Sequence, residues 1–222
     1  MNNIDLFKST HTFGEKIFIT GIYGSGKTTY AQRLIQQHPK YTFLSYDNLW
    51  GYHFDNVEKM EEADARIVTA LETQEFCVMD ALPLYFPYKE EYDRHMTALP
   101  HPPVFIGGDW SYLEKLNATY NCTFVLVTCD RSHWINKRIP LKVPDILQRI
   151  EKGEWDGVDP LRDTRLLYYD QFYEVHAPAL LTKFASKTIV WNSNSYDYTE
   201  EDHALVQNFG GVKTKYRFIE SL

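Results

Sequence analysis

The sequence predicts an α/β fold in which a five-stranded, mostly parallel sheet lies between two layers of helices. Runs of β-branched and aromatic residues alternate with helical runs along the chain, and this alternation is typical of parallel sheets. Residues 123–128 are almost continuously apolar, as expected for a central strand that is buried on both faces. A glycine-rich segment joins the first strand to the first helix. These observations predict a sheet whose functional groups gather where its strands end.

The individual elements follow from periodicity and from helix-breaking residues. Strands are predicted at 15–20, 41–45, 76–79, 123–128 and 187–191, and helices at 28–37, 57–71 and 110–120. The proline-rich residues 82–109 are predicted to form an irregular insertion, and residues 131–152 a small lid. Because 222 residues are too few for two full domains, we expect one domain over residues 1–222.

Residues 21–28 read Gly-Ile-Tyr-Gly-Ser-Gly-Lys-Thr, the complete G-x-x-x-x-G-K-T pattern of a phosphate-binding loop. The N–H groups of such a loop surround a polyphosphate, and the following helix adds about half a positive charge. In this pattern Lys27 reaches the β- and γ-phosphates, and the Thr28 hydroxyl binds Mg²⁺. The motif alone leaves kinases, GTPases, ATPases and sulfotransferases open. The predicted phosphate-binding residues are Gly21, Tyr23, Gly24, Ser25, Gly26, Lys27, Thr28 and Thr29.

Aspartates stand at the ends of the second and third predicted strands. Asp80 closes an apolar strand, where a carboxylate can position Mg²⁺ together with Thr28. The alternative for Asp80 is a turn or a helix cap. Asp47 follows the second strand, and a carboxylate there can accept the proton of an attacking hydroxyl. The alternative for Asp47 is a cap on a helix that begins at Asn48.

The most basic part of the chain is residues 131–144, which follow the fourth strand. An arginine fork matches the charge that develops on a transferred phosphoryl group. A lid could therefore supply Arg131, Arg138 or Arg149, whereas the alternative is a solvated basic face. The pairs Tyr168-Tyr169 and Phe172-Tyr173 recur at helical spacing, and this predicts a core face more than a surface for stacking bases.

Composition narrows the function further. The net charge of −7 argues against non-specific binding of long nucleic acids, which depends on neutralising many phosphates. Three cysteines at Cys77, Cys122 and Cys129 fall in or beside predicted strands, and we expect buried, reduced thiols. No apolar run is long enough for a membrane span, and the first residues show no apolar signal core. A cytoplasmic location is expected.

These segments resemble the P-loop kinases, and among them the polynucleotide 5′-hydroxyl kinases of bacteriophages. Beyond the phosphate loop, the resemblance rests on Phe43-Leu44-Ser45-Tyr46-Asp47-Asn48, on Val78-Met79-Asp80, and on Lys137-Arg138 before Val143-Pro144. It covers parts of residues 1–155. The chain departs from that group in the insertion, in Tyr46, where the group has arginine, and from Trp155 onward.

The resemblance implies transfer of the γ-phosphoryl group of ATP to a hydroxyl, with Mg²⁺ required. The implied acceptor is a nucleic acid or nucleotide, including hydroxymethyl pyrimidines in phage DNA, and the implied location is then the host cytoplasm. Asp47 becomes the general base, Asp80 a metal-supporting residue and Arg138 the transition-state arginine, with Lys27 and Arg131 as further catalytic residues.

Two other functions stay open at this stage. The first is a kinase for a free nucleoside, nucleotide or other small metabolite, which the acidic net charge favours. The second is a nucleotide-binding regulatory protein that transfers little phosphate. A GTPase is disfavoured, because the chain has no Asn-Lys-x-Asp motif for reading guanine. No membrane partner is expected, and nothing in the sequence indicates an oligomeric state.

Overall fold

The predicted α/β fold is confirmed by a computed structural model, which describes residues 12–22, 24–50, 57–80, 110–140, 169–170 and 172–196. Its five strands pair in the order β2-β3-β1-β4-β5, and every pair is parallel. The strands are Lys16–Gly21 (β1), Thr42–Ser45 (β2), Cys77–Asp80 (β3), Cys122–Thr128 (β4) and Thr188–Asn192 (β5).

Helices connect these strands, and three of them lie where the sequence predicts helices. The helices are Lys27–Gln37 (α1), Tyr46–Trp50 (α2), Val57–Thr73 (α3), Trp110–Thr119 (α4) and Ala177–Phe184 (α5). A short helical turn, Arg131–His133, continues into a first π-turn, Trp134–Arg138, and a second π-turn, Phe172–His176, leads into α5. Single 3₁₀ turns, Ala185–Lys187 and Ser193–Ser195, flank β5. The insertion at 82–109, the lid residues 141–152 and Arg149 lie outside the described residues.

Two hydrophobic cores lie on opposite faces of the sheet, because side chains alternate along each strand. Ile17 and Ile19 pack with α1 on one face. Phe18 packs on the other face in a core that also contains α3, α4 and α5 residues. The central strand β1 is therefore buried on both sides. Its carboxyl end leads into the phosphate loop.

Lys16 is fully buried at the start of β1, a position that the sequence does not distinguish from an exposed strand end. Its ammonium group donates to the Gln74 carbonyl oxygen and lies 4.6 Å from the centre of the Tyr120 ring. Cys77 and Cys122 are its registered neighbours on β3 and β4. This buried cation is at the amino end of the strand, opposite the phosphate loop.

The described part of the predicted lid, residues 131–140, packs against the hydrophobic core of the domain. Trp134 and Ile139 belong to the core that contains Phe18, and Arg138 is also buried. Ile135 and the residues on its side of the turn face solvent. The segment is amphipathic, so its basic residues lie partly inside and partly outside. Among the described residues, no helix is both long and apolar enough to cross a membrane.

Candidate phosphate-binding site

The ends of the parallel strands bring the predicted site residues to one edge of the sheet. Gly21 ends the central strand β1, Asp80 ends β3 beside it, and Ser45 ends β2. Ser45 is the registered partner of Asp80. The phosphate loop, the Asp80 carboxylate and the segment that contains Asp47 therefore occupy adjacent positions along this edge.

The loop between β1 and α1 depends on glycine at three positions. Gly24 and Gly26 have φ angles of +74° and +102°, which side chains other than glycine rarely adopt. Gly21 is needed for space, because a Cβ there would lie 2.6 Å from the Val127 carbonyl oxygen and 2.7 Å from Ser25 Oγ. The turn is closed by the Ser25 N–H, which donates to the Ile22 carbonyl at 3.1 Å.

Lys27 is the first residue of α1, and its ammonium group folds back over the loop. It donates to the carbonyl oxygens of Gly21 at 2.9 Å and Ile22 at 3.0 Å. Gly26 caps this helix, and its carbonyl accepts the Tyr30 N–H at 2.9 Å. A cation and the N-terminus of an 11-residue helix therefore meet at the loop, which is an arrangement suited to an anion.

Asp80 connects the loop to the opposite side of the site. One carboxylate oxygen accepts the Thr28 hydroxyl at 2.7 Å, and the other accepts the Tyr46 N–H at 3.3 Å. The carboxylate is buried. Because Thr28 donates its proton to Asp80, the lone pairs of its oxygen are left for another partner. A threonine hydroxyl and an acidic oxygen fit Mg²⁺, which takes few protein ligands and completes its shell with phosphates and water.

Asp47 is the second residue of α2, so its backbone lies directly beyond the N–H that binds Asp80. The helix begins at Tyr46 and not at Asn48. Its first turn is capped by Ser45, whose hydroxyl oxygen accepts the Asn48 N–H at 3.4 Å. This start differs from the Asn48 start that the capping alternative for Asp47 assumes. The position and contacts of the Asp47 side chain lie outside the described structure.

Two of the remaining residues of the predicted loop are buried, and one lies outside the described residues. Thr29 is buried within α1. Ser25 is fully buried, and its hydroxyl has no hydrogen-bond partner among the described residues. Tyr23 lies outside them. A buried hydroxyl without a partner is costly, and a bound phosphate oxygen is one group that could supply the missing bond.

The two described lid arginines differ from each other in burial and in partners. Arg131 lies at the surface and pairs with Asp170 at 3.3 Å. Arg138 is buried, and its guanidinium donates to the main-chain oxygens of Ser193 at 2.5 Å and Tyr196 at 3.3 Å. The structure therefore engages Arg138 with the chain that follows β5, and does not present it as an open fork for a phosphoryl group.

An aromatic group beside the loop was not predicted as part of the site. The indole nitrogen of Trp134 lies 3.7 Å from the place that a Cβ on Gly24 would occupy. The Trp134 ring packs on Tyr169, which packs on Tyr173, with centroids 5.5 and 4.4 Å apart. Both tyrosines were expected in a core face, which is confirmed because they pack against the core that contains Trp134.

Hydrogen bonds fix these tyrosines to the end of β4. The Tyr169 hydroxyl donates to the Cys129 carbonyl at 2.6 Å, and the Cys129 N–H donates to the Tyr173 hydroxyl at 2.8 Å. Burial raises the pKa of both tyrosines and of the Cys129 thiol. These groups are accordingly neutral near pH 7, and they act as packing and hydrogen-bonding groups.

The other two cysteines are also buried and reduced, as predicted. Burial raises the pKa of Cys77 to about 11 and that of Cys122 to about 12. Reactive thiols require a lowered pKa. Within the described ranges, no group of three or more His, Cys, Asp or Glu side chains could hold a metal ion.

The five-stranded parallel sheet, whose central strand leads through a Gly-Lys-Thr loop into a helix, is the α/β fold that the sequence predicts. No family model and no curated protein matches the sequence. Among solved structures, the chain is similar to shikimate kinase from Bacteroides thetaiotaomicron. The two are 14% identical, the match covers 88% of this chain and 96% of that one, and the TM-score is 0.40.

Proposed function

We propose that this protein is an ATP-dependent phosphotransferase that moves the γ-phosphoryl group to a hydroxyl of a nucleic acid or nucleotide. The observation that carries the proposal is the pair of hydrogen bonds at Asp80. They join Thr28, beside the phosphate loop, to the first N–H of the helix that contains Asp47. These two bonds support the proposal because they connect the loop helix α1 and the backbone of α2 through one carboxylate.

Nucleotide binding is supported by the geometry of the loop. The positive φ angles of Gly24 and Gly26 are those of a nest of N–H groups, and the α1 N-terminus and Lys27 add positive charge. Lys27 already lies against two loop carbonyls, so a short movement of its ammonium group reaches a phosphate in the loop. Thr28 and Asp80 would hold Mg²⁺, which offsets the charge of the β- and γ-phosphates when bound.

The proposed transfer needs one base. The acceptor oxygen attacks the γ-phosphorus, its proton passes to Asp47, and the bond between the γ-phosphorus and the β,γ-bridging oxygen breaks to release ADP. The chain contributes mainly position and charge, as in other phosphoryl transfers. A carboxylate at the start of α2 suits this role because β2 ends beside β3, whose last residue is Asp80.

A labelled-ATP assay with Mg²⁺ tests the proposal. The acceptors are single- and double-stranded oligonucleotides with free 5′-hydroxyls, oligonucleotides that contain hydroxymethyl pyrimidines, nucleosides and mononucleotides. We expect transfer to at least one oligonucleotide or nucleotide. The Asp47→Asn variant should retain ATP binding and lose transfer by a factor of about 10²–10⁴.

The matched control is Glu72→Gln, which removes one carboxylate from an exposed position of α3. Unchanged transfer in Asp47→Asn would remove Asp47 from the mechanism. Transfer to free nucleosides or another metabolite but not to any oligonucleotide would favour a small-molecule kinase, the reading that the net charge of −7 supports. ATP binding with no transfer to any acceptor would favour a regulatory protein.

A further inference from the structure

We propose that Trp134 is a positioning residue that braces the phosphate loop, and that Arg138 fastens the turn that carries it. The proposal rests on the proposed function, because it concerns how the same loop is kept ready for a nucleotide. It differs from the sequence-based expectation for this segment, which placed Arg138 at the transferred phosphoryl group.

Proximity to the loop is the first step of the argument. A Cβ added at Gly24 would lie 3.7 Å from the Trp134 indole nitrogen, which is ordinary van der Waals distance, and apart from the chain neighbours of Gly24 no other group of the described residues would lie within 4 Å of it. Gly24 has a left-handed backbone conformation, φ +74°, in the middle of the loop. The indole is therefore the neighbour that limits outward movement of the loop at this glycine.

The indole itself has little freedom to move. Trp134 is 2% exposed, and its outer side packs on Tyr169, which in turn packs on Tyr173. Both tyrosine hydroxyls are bonded to the backbone of Cys129, directly after β4. A row of packed rings thus runs from the vicinity of Gly24 to the residue after β4, the strand next to β1.

Arg138 holds the other end of the first π-turn. It is four residues after Trp134 and faces the same side, where its guanidinium donates to Ser193 and Tyr196 oxygens beyond β5. The first π-turn therefore spans from the phosphate loop to the chain after β5. A π-turn is an uncommon and less favourable backbone form that is often found at functional sites. Here both of its buried side chains point to the site edge of the sheet.

The consequence is a loop that is pre-organised for phosphate. Loops with several glycines have many accessible conformations, and ordering them on binding costs affinity. If removing the brace lowers the binding-competent fraction of the loop to about a tenth, the apparent Kd for nucleotide rises about tenfold. Substitution of a residue that only stabilises the core would lower the melting temperature. It would leave the apparent Kd for nucleotide unchanged at a temperature where the protein is folded.

The test measures ADP and Mg²⁺-ATP binding by titration calorimetry at a temperature where every variant is folded, together with thermal unfolding. Trp134→Ala should raise Kd about tenfold, and Trp134→Phe, which retains a packed ring, should remain within about threefold of the parent protein. Phe184→Leu is the matched control, because Phe184 is equally buried in the same core but lies on α5. It should lower the melting temperature and leave Kd unchanged.

Tryptophan emission supplies a second measurement that core packing alone does not change. We expect nucleotide to alter the emission of the parent protein, which has five tryptophans, and the change to be lost in Trp134→Phe. If Trp134→Ala binds nucleotide as tightly as the parent protein, the brace is overturned while the proposed function stands. If the parent protein binds no nucleotide, the proposed function itself fails.

The Arg138→Lys variant distinguishes two possible roles of Arg138: fastening the first π-turn, or stabilising the transition state. As a fastener, Arg138 should affect nucleotide Kd and the nucleotide-dependent Trp134 emission. As a transition-state arginine, it should lower kcat by a factor of about 10³ or more and leave Kd and emission unchanged. The second result would overturn the role assigned to Arg138 here. Because Arg138→Met could fail to fold, the lysine variant, which retains one donor, is the variant to measure.

Discussion

Asp80 is the residue at which the two sides of the candidate site meet. Its buried carboxylate accepts one hydrogen bond from Thr28 and one from the Tyr46 backbone. A buried carboxylate that loses a donor retains its desolvation cost without the compensating bond. Changes at Thr28 should therefore affect stability as well as nucleotide binding, and the two effects can be measured separately.

Thr28→Val tests this coupling, because it retains the shape of the side chain and removes the hydroxyl. We expect a loss of about 1–3 kcal/mol in the free energy of unfolding, since Asp80 loses a donor. We also expect ATP binding to become insensitive to Mg²⁺. Urea unfolding and titration calorimetry with and without Mg²⁺ measure the two effects. Thr28→Ser retains the hydroxyl and should stay close to the parent protein; losses of equal size in both variants would contradict the coupling.

Lys27 should be essential for transfer, because its ammonium group bonds directly to two loop carbonyls. Lys27→Met removes the charge while retaining most of the side-chain length. We expect kcat/KM to fall by a factor of about 10²–10³ or more, the usual cost of losing one charged stabilising group. The steady-state transfer assay measures it. Lys115→Met, at an exposed position of α4, is the control, and a comparable loss there would point to a general effect of charge.

At the element scale, the two ends of strand β1 differ in function: one leads into the candidate binding loop, and the other holds a buried lysine. Its carboxyl end opens into the phosphate loop, while its amino end buries Lys16 between Cys77 and Cys122. The Lys16 ammonium has the Gln74 carbonyl oxygen and the Tyr120 ring as partners. A carbonyl and a ring face offset only part of the cost of removing a cation from water.

An apolar replacement at Lys16 should accordingly cost little. We expect Lys16→Met, which fills a similar volume, to stay within about 1 kcal/mol of the parent protein in the free energy of unfolding. Lys16→Ala should lose about 2–4 kcal/mol, because it leaves a cavity beside Tyr120. Urea unfolding of both variants gives the two values. A loss in Lys16→Met as large as that in Lys16→Ala would show that the ammonium bond is itself strongly stabilising.

Elements also show where sequence patterns succeed and fail. All five strands and the helices at 28–37, 57–71 and 110–120 were predictable, because apolar runs and helical periods are local properties. The segment after β4 was predicted as a lid because it is the most basic part of the chain, and composition is visible in the sequence. Trp134, Arg138 and Ile139 recur at the spacing of a buried face. That spacing was the available signal, but recognising it requires knowing which surface it packs on.

At the scale of the whole molecule, two hydrophobic cores pack on opposite faces of one sheet. The thiols of two cysteines and the hydroxyl of one tyrosine are buried in these cores in their protonated, neutral form. Burial raises the pKa of Cys77 from 9.0 to about 11, of Cys122 from 9.0 to about 12, and of Tyr30 from 10.0 to about 12. The folded state therefore holds protons that the unfolded chain releases at lower pH. Their stabilising contribution is complete below about pH 9 and is lost as pH rises toward 11 or 12.

We therefore expect the free energy of unfolding to fall by roughly 3 kcal/mol between pH 8 and pH 10. Urea unfolding at intervals across this range measures it. The Cys77→Ala, Cys122→Ala double variant will be less stable at every pH because it loses buried volume. Its pH dependence, however, should be shallower, since two of the titrating groups are gone. A dependence as steep as that of the parent protein would assign the effect to other groups.

The sequence by itself determined the sheet, the phosphate loop and the location of Asp80 and Asp47 at strand ends, because each depends on residues that are close along the chain. Tertiary structure decided which side chains meet. It joined Thr28 to Asp80 across 52 positions, buried Lys16, placed Trp134 on Gly24 and turned Arg138 toward Ser193, 55 residues away. The physical reason is that packing and hydrogen bonds between distant segments depend on how the layers stack, which no local pattern encodes.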